Sequence, residues 1–263
     1  MSADRLSTGI SELDRMLNGG FLQGDAVLIA GSPGTGKTTL ALELIVNRIT
    51  HFNENALFVT FEQLPDQLYR DAANFGWDLR KMENEDRLRV LCTSPELLVE
   101  DNAEKILETP LGEVKPRLVV IDALNHFERV IDRGKVRAAA YQLVMYLKTK
   151  RLTPILLWES PQLVGEGFVV TDVGVSFLVD AIVLLRFVEI DSAVRKALVI
   201  LKMRGSNHDK NLTEFEITSR GIRILPSFAN YEGVMSGAPT KTPQERFAEM
   251  FAARAKGEGQ MNE

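Results

Sequence analysis

The sequence predicts an α/β fold: a mostly parallel, twisted sheet flanked by helices, with antiparallel strands near the C-terminus and a C-terminal helix. Three observations predict it. From Asp25 to Phe187 short β-rich apolar runs alternate with longer stretches of helical period, the pattern of a parallel sheet covered by helices. Several of these runs are nearly all apolar, as strands buried on both faces are. After Phe187 the candidate strands follow one another through polar or glycine-containing turns, which indicates antiparallel pairing.

The candidate parallel strands are Ala26 to Ala30, Ala56 to Phe61, Leu88 to Leu91, Leu118 to Ile121, Ile155 to Trp158 and Ala181 to Phe187. Between the first two, Leu40, Ala41, Leu44 and Ile45 give a helix an apolar face, with Asn47 and Arg48 expected toward solvent. Pro65 suits a helix start, and Leu68, Ala72 and Phe75 follow on one face. Val136, Ala140, Leu143 and Leu147 mark another helix, ended near Pro154. Arg186 is expected to leave the sheet into solvent. The antiparallel candidates are Arg195 to Met203, Glu214 to Ile217 and Ile222 to Ile224.

Residues 1–235 form one expected domain, and 236–263 a linker, an amphipathic helix and a tail. Ser236-Gly237-Ala238-Pro239 has linker composition, and Thr242-Pro243-Gln244-Glu245 is a capping-box start with proline at the first helical position. A helix from there to about Lys256 puts Phe247, Met250 and Phe251 on one side. That side either packs on its own domain or docks on a neighbouring subunit or protein partner.

Composition narrows the function classes. Among 263 residues, 45% are hydrophobic and 25% charged, the balance of a globular protein. No apolar run approaches the ~18 residues a membrane helix needs, and Met1 to Arg5 lacks an apolar signal segment. A cytoplasmic location and no membrane partner are expected. A single cysteine, Cys92, excludes an internal disulfide and any zinc site built on paired thiolates. The net charge of -5 gives no general attraction to polyanions, so nucleic acid is not the default partner.

Chemistry enters at Gly31-Ser32-Pro33-Gly34-Thr35-Gly36-Lys37-Thr38, which satisfies G-x-x-x-x-G-K-[ST] between an apolar strand and a helix. Glycines let the backbone wrap so that successive N–H groups point at phosphate oxygens, and the helix N-terminus adds a favourable partial charge. Ser32, Gly34, Thr35, Gly36, Lys37, Thr38 and Thr39 are therefore assigned to ATP. Lys37 brings a positive charge to the outer phosphates, and the Thr38 hydroxyl is a hard oxygen ligand suited to Mg²⁺. Leu118-Val119-Val120-Ile121-Asp122 supplies the second metal-side acid, a carboxylate at the carboxyl edge of an open sheet. Glu62, after the run Ala56 to Phe61, should reach the same edge and orient the attacking water. Its plainer role is a helix-capping acid before Pro65.

Together with these motifs, further stretches carry a resemblance. Arg5 to Asp14, Asn18-Gly19-Gly20-Phe21, the loop Gly31 to Thr39, Phe61-Glu62, Asn74 to Leu79, Lys202-Met203-Arg204-Gly205-Ser206 with His208-Asp209-Lys210, and Ser236 to Thr240 resemble the KaiC-like branch of the RecA superfamily. The similarity covers roughly residues 5 to 241, which makes 1–235 a RecA/KaiC-like ATPase domain by resemblance. KaiC carries two such domains in tandem; one phosphate loop here resembles a single-domain relative. The resemblance implies a homo-oligomeric ring, hexameric, with ATP at subunit interfaces. It also implies that Lys202 and Arg204 reach the neighbour's phosphates, with Met203, Ser206 and His208 on the same edge and Asn74 near the interface nucleotide. On the residues alone, Lys202 and Arg204 are more simply solvated strand charges; two cations on one face with a two-residue period also suit a finger into a phosphate site.

Two departures bear on turnover. Where KaiC has paired glutamates, Glu62-Gln63 keeps the first acid only, so slow ATP hydrolysis is expected. Where its second domain phosphorylates an adjacent Ser-Thr pair, Ser176-Phe177 stands here, and a two-site autokinase cycle is not expected.

Isolated residues give weaker signals. His51, His126 and His208 have no metal-ligand spacing. His126 is either a packed imidazole or approaches the nucleotide edge, Glu159 and Ser160 are candidate sensors of the terminal phosphate, and Trp77 is expected in the core. Two other functions use the same core: a RecA- or RadA-like recombination ATPase, disfavoured because Gly165 to Asp172 holds two acids and no Lys or Arg, and a nucleotide-gated scaffold with negligible turnover.

Overall fold

The computed structural model describes residues 4–99, 103–160, 174–228, 230–234, 240–244 and 247. A short antiparallel ribbon, β1 (Arg5–Leu6) with β2 (Phe21–Leu22), encloses α1 (Ser11–Met16). Then β3 (Val27–Gly31) leads into α2 (Lys37–Phe52), and β4 (Ala56–Thr60) into α3 (Pro65–Ala73) and α4 (Leu79–Asn84). Next come β5 (Leu88–Cys92), α5 (Ala103–Val114), β6 (Leu118–Asp122), a 3-10 segment Leu124–Arg129, α6 (Arg133–Thr149) and β7 (Thr153–Glu159). The chain continues through β8 (Ala181–Ile190), β9 (Ala193–Met203), β10 (Thr213–Thr218) and β11 (Gly221–Ser227) to a small ribbon of β12 (Tyr231–Glu232) and β13 (Thr240–Lys241).

The main sheet has nine strands in the order β11-β10-β9-β8-β3-β7-β6-β4-β5. Pairing is parallel from β8 to β5 and antiparallel from β8 to β11, as the change of pattern after Phe187 predicts. Side chains alternate across the sheet. Val27 and Ile29 of β3 join one core with α2, α3 and α4, while Leu28 and Ala30 join a second core with α5 and α6. With both faces of β3 covered, every one of its five residues is buried. Parallel register brings the strand ends Gly31, Thr60, Asp122 and Glu159 to one edge.

Two sequence expectations are overturned here. Asn47 and Arg48 do not face solvent; both are buried. The N-terminal segment lies across α2 on that side, and the two side chains hold it: Asn47 Nδ2 donates to the Thr8 carbonyl at 3.0 Å and Arg48 to the Ser7 carbonyl at 2.9 Å. Arg48 also pairs with Glu54 through Nε at 2.9 Å. Arg186 does not leave the sheet, because β8 runs on to Ile190 and keeps the residue half-buried. Burial lowers its guanidinium pKa. At the C-terminus, Pro243, Gln244 and Phe247 are helical and Phe247 is exposed. Met250, Phe251, the linker centre and the 165–172 segment lie outside the described residues.

A buried acid ties α2 to the antiparallel part. Glu43 accepts the Ile222 N–H at 2.7 Å, and a Cβ on Gly221, whose φ is +110°, would fall 2.6 Å from that carboxylate. Burial pushes the Glu43 carboxyl up to about 7 from 4.5. The folded state therefore holds more protons than the unfolded chain across that window, and the stability Glu43 contributes is lost as pH rises from 4.5 to about 7. Glu43→Gln keeps an acceptor for Ile222 without the charge. It should raise stability at pH 8 by about 2 kcal/mol and change little at pH 4, read from denaturation midpoints.

Candidate active site

The loop between β3 and α2 is shaped by its own contacts. Thr35 is fully buried, with Oγ1 donating to the Ser32 carbonyl at 2.8 Å, so it braces the loop from within. Gly36 occupies the N-cap of α2 at φ +106°. A Cβ there would lie 2.7 Å from Ile217 Cδ1 in β10, and the left-handed conformation itself favours glycine. No side chain among the described residues caps α2, so its first-turn N–H groups keep the positive end of the helix dipole available to an anion.

Lys37 is buried and donates Nζ to the carbonyls of Gly31 at 2.9 Å and Ser32 at 3.0 Å. Burial lowers its pKa, while Glu159 and Asp122 act in the opposite direction and favour the ammonium. Next along the helix, Thr38 Oγ1 donates to Asp122 Oδ2 at 2.7 Å. Asp122 ends β6; burial raises its pKa, and the Thr38 hydrogen bond and Lys37 oppose that rise.

These groups line a cleft of about 350 Å³, which Thr39, Thr60, Glu62, Gln63, His126 and Glu159 also border. Glu62 is more than half exposed, and its Oε1 lies 3.1 Å from Arg129 and 3.3 Å from His126 Nε2. It does not cap α3, whose N-cap is Leu64 with no side-chain bond. Gln63 donates its N–H to Thr60 Oγ1 at 3.1 Å, and its Oε1 is buried without a hydrogen bond among the described residues. At the end of β7, the Glu159 N–H donates to Asn125 Oδ1 at 3.1 Å and the Ser160 N–H to the Gly31 carbonyl at 2.9 Å.

The remaining sequence candidates are not brought to this cleft. Met203 pairs with Ala181, which pairs with Val27, so Lys202 and Arg204 flank the start of β3 rather than its end. Four residues separate Val27 from Gly31, about 13 Å at the usual strand rise. Lys202 Nζ donates to the carbonyls of Val179 at 2.6 Å and Ser176 at 3.2 Å, and Arg204 lies 3.4 Å from both Asp180 Oδ1 and the Phe177 carbonyl. Met203 packs in the core. Ser206 Oγ accepts from Arg5 at 2.6 Å, and His208 Nδ1 is buried without a hydrogen bond among the described residues. Asn74, at the end of α3, is exposed away from the cleft lining.

Sequence reasoning missed three polar neighbours of the site. Lys196 of β9 donates Nζ to the Gly34 carbonyl and lies over the Phe187 ring at 4.8 Å. Only the β8–β9 register, Lys196 opposite Phe187, brings it there. Arg129 reaches Glu62 from a 3-10 segment that no hydrophobic period marks. Asn125 does the same for Glu159.

A family model described as "ATPase: KaiC" matches residues 6–229. The chain is 35% identical over 250 residues to "Circadian clock protein KaiC3" of Synechocystis sp., covering 94% of this chain and 49% of that protein. It is 33% identical over 246 residues to "Circadian clock oscillator protein KaiC" of Nostoc sp., covering 94% of this chain and 47% of that protein. A protein with the same description in Synechococcus elongatus is 32% identical over 246 residues, with the same shares of 94% and 47%. The chain thus spans about half the length of the curated relatives it matches.

Proposed function

The chain belongs to the KaiC family of ATPases, and on that premise we propose that it is a ring-forming ATPase that binds Mg-ATP between subunits and hydrolyses it slowly to control assembly or partner binding. The observation that carries this is the Thr38–Asp122 hydrogen bond of 2.7 Å beside Lys37, facing Glu62 across one cleft. A hydroxyl and a carboxylate held together at the foot of a phosphate loop are the hard oxygen donors that Mg²⁺ takes, with phosphates and water completing its shell. When bound, the ion would neutralise phosphate charge and polarise the terminal phosphoryl group.

The protein's own groups do the rest. The α2 N-terminus and loop amides hold the phosphates, Lys37 exchanges its carbonyl partners for phosphate oxygens, and Glu62 orients the attacking water. Lys202 and Arg204, with Ser206 and His208 close by in the chain, serve the neighbour's nucleotide; Met203, its side chain in the core, adds backbone alone, and Asn74 is proposed for the same contact. Cleft and cations at opposite edges of one sheet require a head-to-tail contact, which closes into a ring, here taken as hexameric. The reaction is placed in the cytoplasm, and no helix among the described residues is long and apolar enough to cross a membrane.

Light scattering with and without Mg-ATP, followed by phosphate release from the assembled fraction, tests the proposal. Assembly should require nucleotide, and Glu62→Gln should assemble yet lose on the order of 10²-fold in turnover. Equal and negligible release by the variant and the parent would favour a nucleotide-gated scaffold instead.

A further inference from the structure

Glu62 accepts a hydrogen bond from Arg129 and stands beside a buried imidazole. The Nε2 of His126 stands 3.3 Å from the same carboxylate oxygen that Arg129 contacts at 3.1 Å. Phe61, next to Glu62 in the chain, packs its ring 5.8 Å from the imidazole. The imidazole thus sits on the wall of the cleft with one nitrogen close to the acid. A nitrogen lone pair beside a carboxylate oxygen is repulsive, so the tautomer with its proton on Nε2 is favoured. At 3.3 Å the contact is an approach without the alignment of a hydrogen bond, and catalytic contacts of this kind commonly align only once substrate binds.

We propose that His126 is a positioning residue for Glu62, whose Nε2–H sets the carboxylate's orientation toward water while imidazole is neutral and whose second proton, when gained, holds the carboxylate in an ion pair and away from water. This rests on Glu62 being the water-orienting acid. Burial is the largest influence on His126 and lowers its pKa; Glu62 and Glu159 raise it and Arg129 lowers it. These are the charged groups that face it, from the segment after β4, the end of β7 and its own 3-10 segment. The neutral, orienting form consequently prevails at pH 7. As pH falls below the ordinary imidazole value of about 6.5, imidazolium ties the Glu62 carboxylate into an ion pair, away from water, and turnover declines.

Two measurements test this. The chain has three histidines, so the imidazole resonance of His126 can be assigned by substitution and titrated by NMR in the nucleotide-free protein. Glu62→Gln should move the His126 midpoint to lower pH, because the anion that favours imidazolium is gone. An unmoved midpoint overturns the coupling whatever the enzyme does. In steady-state assays on the Mg-ATP assembly, His126→Ala should lower kcat on the order of tenfold with KM for ATP nearly unchanged. His126→Gln, which can donate from nearly the same position, should restore most of kcat and shift the acid-side decline to lower pH. Parental kcat and pH profile in both variants would overturn the proposal, and Glu62→Gln would still lose turnover, leaving the ATPase reading intact. Full turnover in Glu62→Gln removes the acid's role and that of His126 with it, while hydrolysis at the site stands.

Discussion

Lys37→Ala is expected to weaken ATP binding at least about 100-fold, near 3 kcal/mol, and to reduce turnover by on the order of 10³-fold. The ammonium is buried inside the loop, with Glu159 and Asp122 favouring its charge and two carbonyls as its present partners. A triphosphate offers it stronger, charge-assisted bonds than carbonyls do, and nothing else in the loop brings a full positive charge to that point. The main structural cost of the substitution is two carbonyls left to find water, so the melting temperature should fall only slightly. Isothermal titration with ATP and magnesium, beside a thermal melt of the same sample, separates loss of the site from loss of the fold. Binding at parental affinity by a folded variant would refute the phosphate-loop assignment.

The second large effect is expected from mixing. Arg204→Ala alone should lose on the order of 10³-fold in turnover while binding ATP, since a cation in trans stabilises the charge that develops on the transferred phosphoryl group. Lys37→Ala alone should be inactive for want of nucleotide. Co-expressed in equal amounts, the two should recover activity at roughly one quarter of the interfaces, those pairing an intact loop with a neighbour's intact Arg204. The geometry behind this is the separation of Arg204 from its own loop by the length of β3. A mixture no more active than its components would show that Arg204 does not act across subunits.

What can be read from the sequence follows a physical division. Buried parallel strands announce themselves because burial on both faces leaves unbroken apolar runs: all six expected parallel strands are present, displaced by a few residues at their ends. Lys37, Thr38, Asp122 and Glu62 are legible because loop chemistry and strand ends locate them without knowledge of packing. Asn47 and Arg48 mislead because helical period reports polarity, and polar side chains that anchor a covering segment look the same as solvated ones. The helix α5 is masked by Pro110 in its interior, which reads as a helix breaker although Leu107, Leu111 and Val114 keep helical spacing. Lys196, Arg129 and Asn125 depend on register or on a 3-10 path, and neither leaves a period in the sequence.

One consequence follows from the place of β3 in the sheet. It is laddered on one side to β7 and on the other to β8, and both of its faces are covered, so the root of the phosphate loop is anchored from four directions. In the proposed ring, exchange of ATP for its products cannot be transmitted by sliding that strand without tearing two rows of hydrogen bonds together. Whatever the proposed neighbour senses would instead travel through groups free to rotate at the rim, or through movement of whole subunits as rigid bodies, with the central strand as the fixed axis.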